Sequence, residues 1–160
     1  MLKRLLCVAI VSILLPAAAQ SAVVTGAGPR LGFSLDPDQV VLGGQLVIGD
    51  VAPQMTFDPN VEIGLGDNLT TVGLSLDLHY HFALQNSEWR PYLGLGMGIH
   101  FFDVNDTPPG VDGSSSEVGA NVIVGAGVPT RSGTRFFTEM KFGIGDIPSL
   151  KMLAGWVFRM

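Results

Sequence analysis

Apolar and polar residues alternate strictly along several stretches of this chain. In Thr71–Leu84 every second residue is apolar, and the intervening positions on the polar face hold Gly73, Ser75, Asp77, His79 and His81. The pattern returns in Tyr92–Phe102, where apolar residues alternate with glycines and His100. Successive side chains of a β-strand point to opposite faces of the sheet, so a period of two predicts strands with one apolar and one polar face.

The same pattern predicts eight strands, separated by short segments rich in turn-forming residues. They are Arg30–Asp36, Val40–Asp50, Met55–Gly66, Thr71–Leu84, Trp89–Val104, Glu117–Val128, Arg135–Gly145 and Leu150–Met160. Most are long enough to cross a membrane as a tilted strand, which needs about 9–11 residues. The one long separator is Asp106–Ser116. Bacterial transmembrane barrels have an even number of strands, and eight is the smallest number.

Charged residues within the membrane-spanning parts of the predicted strands fall on the polar face and do not interrupt the apolar band. They include Glu62, Asp77, Glu139, Lys141 and Lys151. The rest of that face is mostly glycine, which suits the crowded lumen of an eight-stranded barrel. A soluble barrel would instead carry many charged residues outside, and solvent-facing glycines would weaken its strands. We therefore expect the apolar face to lie outward against lipid and the polar face to line the lumen.

The N-terminus has the pattern of a secretory signal peptide. Lys3 and Arg4 precede the apolar run Leu5–Leu15, and small residues follow it. The run is shorter than the ~20 residues that a spanning helix needs. The prediction is a signal peptide in residues 1–22, cleaved after Ala19 or Ala22, and one barrel domain in residues 23–160.

Composition narrows the class of protein further. Charged residues make up 14% of the chain, against about 25% in soluble domains. Cys7 is the only cysteine and lies in the leader, so the exported part has no disulfide. No phosphate-binding loop, dinucleotide fingerprint or basic nucleic-acid patch is present, so we expect no nucleic-acid partner.

The strand order predicts which ends face outward. With the N-terminus in the periplasm, the long Asp106–Ser116 segment falls on the extracellular side, where long loops of such barrels lie. Aromatic residues at the outward-facing positions of the strands form two predicted girdles at the membrane interfaces. The periplasmic girdle comprises Phe57, Tyr80, Phe82, Trp89, Phe136, Trp156 and Phe158, and the outer one Phe33 and Phe101.

Charge is distributed unevenly between the two predicted ends. The outer end carries Asp36, Asp38, Asp67, Asp103, Asp106, Asp112 and Asp146. The periplasmic end carries Arg30, Arg90, Arg131, Arg135 and Arg159. One interpretation is an acidic outer rim, centred on Asp103, Asp106 and Asp112, that faces lipopolysaccharide phosphates through bridging divalent cations. The alternative is that Asp is common in turns for its own reasons.

Three stretches resemble the small eight-stranded outer-membrane barrels of Gram-negative bacteria. They are Tyr92–Phe102, Val118–Gly127 and the closing Gly155–Met160. The relatives are the outer membrane protein A transmembrane domain, the outer membrane protein X type and the opacity surface antigens. Resemblance to them implies that the barrel-assembly machinery recognises a C-terminal signal, here Trp156, Phe158 and Met160. Met160 stands where family members usually have an aromatic residue.

The polar face offers some candidate chemistry. Its lumen network is predicted to comprise Glu62, Asp77, His79, His81, Glu139, Lys141 and Lys151. His79 and His81 could begin a metal site, with Asp58 beside His79, but no set of four ligands is evident. The charged residues could line an ion path, or they could pair and fill the lumen. We predict the paired arrangement, with no metal and no cofactor.

An enzymatic role is a further alternative that the resemblance implies, because some eight-stranded barrels are lipid A deacylases or palmitoyl transferases. The deacylase type has a His-x-Ser motif, which this chain lacks. Ser75 and His79 share a face but lie too far apart along one strand for a direct hydrogen bond. The sequence thus predicts a non-enzymatic, integral outer-membrane barrel with a plugged polar lumen and a structural or surface-interaction role. Its alternatives are a narrow channel and a lipid A-modifying enzyme, and the sequence names no extracellular partner.

Overall fold

The computed structural model describes residues 23–104, 113–130 and 133–160, which form a closed barrel of eight strands. The strands are β1 Val23–Leu35, β2 Gln39–Ala52, β3 Met55–Leu65, β4 Leu69–His81, β5 Arg90–Val104, β6 Ser114–Pro129, β7 Thr134–Ile144 and β8 Leu150–Arg159. The predicted leader in residues 1–22, together with Asp106, Asp112 and Arg131, lies outside the described residues. Within the described ranges, no helix is both long and apolar enough to cross a membrane.

Each strand pairs antiparallel with the next, and β1 closes the barrel against β8. A closed barrel pairs the backbone groups of every strand and leaves no open edge, which is what a spanning sheet requires. The predicted fold class, an all-β antiparallel barrel of eight strands, is therefore confirmed.

Exposed and buried side chains alternate along the strands as predicted. Leu74, Leu76 and Leu78 of β4 are exposed on the outside, whereas Ser75 and Asp77 between them are buried. The inner face also holds apolar side chains that close gaps between the polar ones. These are chiefly Val41, Val47, Tyr92, Ile123, Phe137, Leu153 and Val157.

Glycines of β5 make room for the polar side chains of β4. Gly94, Gly96 and Gly98 pair directly with His79, Asp77 and Ser75 in the ladder. A Cβ atom added to Gly98 would lie 2.8 Å from the Ser75 hydroxyl oxygen. Each inward side chain of β4 therefore lies beside a glycine of β5, which leaves it the space it needs. This explains why glycine alternates with apolar residues in the sequence of β5.

The first strand is longer than predicted. It begins at Val23 rather than Arg30, and it contains Pro29. The ladder between β1 and β8 has no paired positions at residues 28 and 29, because proline has no N–H to donate. Arg30 consequently lies in the middle of the barrel and is buried, so its predicted position at the periplasmic end is wrong.

The other predicted strand boundaries differ from the observed ones by three residues at most. Phe82 and Leu84, predicted within the fourth strand, follow its end at His81. Ser114 to Ser116, predicted as loop, belong to β6. We call the end where β1 begins and β8 ends the terminal end, and the other the opposite end.

Candidate functional site

The centre of the lumen is occupied by an ion-pair network. The Lys141 Nζ lies 2.6 Å from Asp77 Oδ2, and neither side chain has exposed surface. The same ammonium donates to Asn60 Oδ1 at 3.3 Å and lies 3.6 Å from Glu62 Oε1. Asn60 in turn donates to Asp77 Oδ2 at 2.7 Å. β7 supplies Lys141, whereas the neighbouring strands β3 and β4 supply its partners, so the contacts of Lys141 cross the lumen.

Arg30 extends the network toward β1. Its guanidinium donates a hydrogen bond to Glu139 Oε1, and its Nε lies 3.4 Å from Glu62 Oε1. The Tyr92 hydroxyl donates to the second oxygen of Glu139 at 2.8 Å. The guanidinium carbon also lies 5.7 Å from the centre of the Phe137 ring, within the range of a cation–π contact.

Lys151 continues the network toward the opposite end. Its Nζ donates to Glu62 Oε2 at 2.7 Å and lies 3.0 Å from His100 Nε2. A cavity of about 10 Å³ remains beside Glu62, His100 and Lys151. This is about the space that one water needs, so the side chains nearly fill this section of the lumen.

Toward the terminal end the polar groups form a second, smaller cluster. His79 Nδ1 lies 3.1 Å from Asp58 Oδ2, and the His79 ring stacks on Tyr92 with centroids 4.7 Å apart. His81 Nε2 is within hydrogen-bond distance of the Thr56 hydroxyl, at 3.0 Å. Tyr92 contacts both histidines and also donates to Glu139, so it joins the two clusters.

The charges of the central network balance. Three cations, Arg30, Lys141 and Lys151, face three carboxylates, which belong to Glu62, Asp77 and Glu139. All six side chains are at most 3% exposed. Buried charges are tolerated only when they are paired and hydrogen-bonded, because each one loses its hydration. Removing any one of the six side chains would therefore leave a buried charge without its partner.

A cavity of about 520 Å³ opens at the terminal end, next to His81. We call it the terminal vestibule. Its lining includes the polar residues Thr56, His81, Arg90, Arg135 and Arg159. Val47, Phe82 and Val157 form an apolar part of its wall. Its three arginines face the lumen side of β5, β7 and β8. Polar and basic groups thus continue from the centre of the barrel to this mouth.

The structure places the predicted lumen residues in two groups. Glu62, Asp77, Glu139, Lys141 and Lys151 meet in one network. His79 pairs with Asp58, and His81 lies at the terminal vestibule. His100 is near the opposite end, as expected, where it contacts Lys151.

Residues at the barrel ends also have defined positions. Asp103 is exposed at the opposite end, while Asp106 and Asp112 are outside the described residues. Trp156 and Phe158 are exposed on the outer face of β8. The Met160 backbone N–H donates to the Thr25 carbonyl at 3.1 Å.

The predicted lumen network left out four of its members. These are Arg30, Asn60, Tyr92 and His100, which face inward like the residues that were predicted. For Arg30 the signal was its period-two spacing to Gly32 and Ser34, both buried. For Asn60 it was the same spacing to Glu62.

The described ranges hold neither a cluster of metal ligands nor a hydrogen-bonded Ser–His pair. They contain no group of three or more His, Cys, Asp or Glu residues that could hold a metal ion. Ser75 is buried and makes no hydrogen bond to His79, whose Nδ1 faces Asp58. The hydroxyl that does meet an imidazole is that of Thr56, at His81.

Comparison with known proteins gives matches among solved structures alone. No family model matches the chain, and no curated protein does. The N-terminal β-barrel domain of Pseudomonas aeruginosa OprF superposes with a TM-score of 0.64 at 15% identity, over 86% of this chain and 100% of that one. Neisserial surface protein A gives 0.61 at 12% identity, over 85% and 94%. This chain has the fold of the small outer-membrane β-barrels.

A third solved structure with the same fold is that of an enzyme. The outer membrane enzyme PagL superposes with a TM-score of 0.50 at 12% identity, over 84% of this chain and 99% of that one. The same architecture thus occurs in an enzyme, so function must be argued from the side chains of this chain.

Proposed function

We propose that this protein is an integral outer-membrane barrel whose lumen is plugged by its own ion pairs, with a structural or surface-interaction role in the cell envelope. One observation carries the proposal. Lys141, Asp77, Glu62, Lys151 and Arg30 bridge the barrel from several strands, and all are buried. A conducting pore needs a continuous wet path, whereas these side chains pair with one another across the lumen. The outer face, by contrast, is an apolar band suited to lipid.

The two ends support an orientation with both termini in the periplasm. β5 ends and β6 begins at the opposite end, so the longest predicted loop joins strands there, and long loops of such barrels face the cell exterior. Five aspartates at that end are exposed, namely Asp36, Asp38, Asp67, Asp103 and Asp146. Their carboxylates would face lipopolysaccharide phosphates, and divalent cations with oxygen ligands would bridge the two.

Assembly into the membrane belongs to the same proposal. Trp156, Phe158 and Met160 alternate on the outward face at the end of β8. That exposed edge would be the signal for the barrel-assembly machinery. Replacing Trp156 and Phe158 together by serine should lower the amount of assembled barrel, while the same change at Phe33 and Phe101 serves as a control for lost outward aromatics.

Fractionation tests the membrane location. The full chain should be recovered in the outer-membrane fraction, require detergent for release, and migrate faster on a gel when unheated than when boiled. Recovery in a detergent-free periplasmic extract, with one unshifted band, would contradict the proposal.

A narrow channel is the first alternative function, and the polar lining of the lumen is what favours it. Planar-bilayer recording separates it from a plugged barrel. A lipid A-modifying enzyme is the second alternative, favoured by the shared fold with PagL and by the Thr56–His81 contact. A hydroxyl beside an imidazole is the arrangement of an activated nucleophile, but here it lies at the end we assign to the periplasm.

Lipid A mass spectra test the enzymatic alternative. Spectra from cells with the wild-type gene, without it, and with Thr56→Val should be identical under our proposal. Loss of a modified lipid A species in both the deletion and the Thr56→Val cells would establish enzymatic activity instead.

A further inference from the structure

The terminal vestibule combines three arginines with an open cavity of about 520 Å³. We propose that it is a binding site for a phosphate ester, held by the guanidinium groups of Arg90, Arg135 and Arg159. The vestibule is part of the barrel whichever way the barrel is oriented in the membrane.

Register places the three arginines on the inner side of the same mouth. Arg90 pairs with Gly127, Arg135 with Pro129 and Arg159 with Gly26. Gly127 leaves space that the Arg135 stem occupies, since a Cβ atom built there would lie 3.2 Å from the Arg135 Cδ. The basic groups therefore converge from β5, β7 and β8 on one cavity.

These arginines differ from the other cations of the lumen because they lack carboxylate partners. Arg30, Lys141 and Lys151 each form an ion pair. Among the side chains that the structure describes, no carboxylate oxygen lies within 4.0 Å of a nitrogen of Arg90, Arg135 or Arg159. Asp58 attracts Arg135 from a longer distance, but its carboxylate is already paired with His79. Positive charges gathered in one cavity repel one another and attract anions. An anionic ligand would therefore neutralise positive charge that these arginines bring to the vestibule.

The chemistry of the lining favours a phosphate over other anions. A guanidinium presents a planar fork of donors that matches phosphate oxygens in pairs, and several forks suit an anion with more than one negative charge. The Thr56 hydroxyl and the His81 ring add hydrogen-bonding groups at the inner wall.

The size and the apolar wall favour an ester over the bare ion. Inorganic phosphate would fill only a small part of a cavity in the roughly 300–1,000 Å³ range typical of small-molecule sites. Val47, Phe82 and Val157 also line the vestibule and can contact an organic group. The phosphate ester could be a small molecule in the adjoining aqueous compartment or the headgroup of a phospholipid at the membrane surface.

Calorimetry on the detergent-extracted full protein tests the site, with phenyl phosphate, inorganic phosphate and phenol as probes. We expect saturable one-to-one binding of phenyl phosphate, weaker binding of inorganic phosphate and none of phenol. Arg135→Gln should weaken phenyl phosphate binding about tenfold or more, as expected for losing charge-assisted hydrogen bonds. The triple change Arg90→Gln, Arg135→Gln and Arg159→Gln should abolish it.

Matched variants distinguish specific binding by the guanidinium groups from nonspecific attraction by positive charge. Arg135→Lys keeps the charge but loses the fork, so it should still weaken binding severalfold. Glu88→Gln changes charge in the neighbouring loop and should leave affinity within about twofold. Heat-shifted migration of every variant verifies that it is folded.

A lipid comparison identifies the source of the ester. Binding is repeated in vesicles of phosphatidylcholine and in vesicles of a phosphate-free galactolipid, neither of which carries net charge. Equal affinity in both indicates a soluble phosphate ester, whereas weaker binding in phosphatidylcholine indicates that its headgroup occupies the vestibule. The proposal is overturned if wild-type protein shows no saturable binding in detergent, or if Arg135→Lys and the triple variant bind as wild type does.

Discussion

Lys141 of β7 and Asp77 of β4 meet across the lumen at 2.6 Å, and neither side chain has exposed surface. The two strands are not neighbours in the barrel. The contact therefore ties opposite walls together and occupies the section through which a solute would pass.

Removing one member of this pair should strongly destabilise the barrel. Lys141→Met leaves the Asp77 carboxylate buried without its ammonium partner, and breaking a buried pair in this way costs about 3–5 kcal/mol. Urea unfolding in vesicles, followed by loss of the heat-shifted gel band, measures the change.

The double variant Lys141→Met with Asp77→Asn is the control for that prediction. The amide that Asp77→Asn introduces is uncharged, and its oxygen can still accept a hydrogen bond from Asn60, which donates to Asp77 at 2.7 Å in the wild-type protein. We expect the double variant to recover at least half of the lost stability. A single variant as stable as wild type would show that the pair does not hold the walls together.

Two glycines on opposite faces of the barrel wall should respond differently to alanine. A Cβ at Gly96 would collide with the Asp77 carboxylate and disturb its pairing with Lys141, whereas a Cβ at Gly44 would meet no atom closer than 3.8 Å. Gly96→Ala should cost about 1–3 kcal/mol as an overpacked site. Gly44→Ala should be neutral or slightly stabilising. Equal midpoints in urea for the two variants would contradict the assigned packing.

The Tyr92 hydroxyl should contribute measurably, since it donates to Glu139 Oε2 at 2.8 Å. Tyr92→Phe keeps the ring stacked on His79 but leaves one carboxylate oxygen without its donor, at a cost of about 1–3 kcal/mol. Tyr80→Phe is the matched control, because that ring lies on the exposed outer face. If both variants unfold at the wild-type urea concentration, the hydroxyl does not support Glu139.

Much of the fold was predictable because the alternation has a single physical cause. Outward positions must be apolar in lipid, and inward positions must be small or polar in a narrow lumen. The parity of Glu62, Asp77 and Lys141 follows from that rule. The predicted start of β1 was wrong, because Pro29 and the neighbouring glycines obscure the alternation there, and Arg30 was therefore placed at the end of the strand instead of its middle.

The partners across the lumen were not predictable from the pattern. The contacts of Arg30 with Glu139 and of Lys151 with Glu62 join strands that are not hydrogen-bonded to each other. Such contacts depend on the stagger of the whole barrel and on which side chains fill its cross-section. Parity specifies the face of each residue but not its neighbour on the far wall.

The proposed acidic outer rim predicts a dependence on divalent cations. Ca²⁺ or Mg²⁺ should raise the melting temperature of the barrel in lipopolysaccharide-containing bilayers, because the cations would bridge carboxylates and lipid phosphates. Replacing Asp103, Asp106 and Asp112 by Asn should remove most of that increase, and Glu88→Gln, which lies at the terminal end, should not. An identical increase in the triple variant would leave turn propensity as the reason for these aspartates.

Single-channel recording in planar bilayers tests the plugged lumen most directly. The wild-type protein, inserted and verified by its heat-shifted band, should give no steady current steps above those of protein-free bilayers. A variant with Arg30, Glu139 and Lys141 all replaced by alanine should give steps if it remains folded, because the central side chains are gone. Steady, large steps from the wild-type protein would contradict the account.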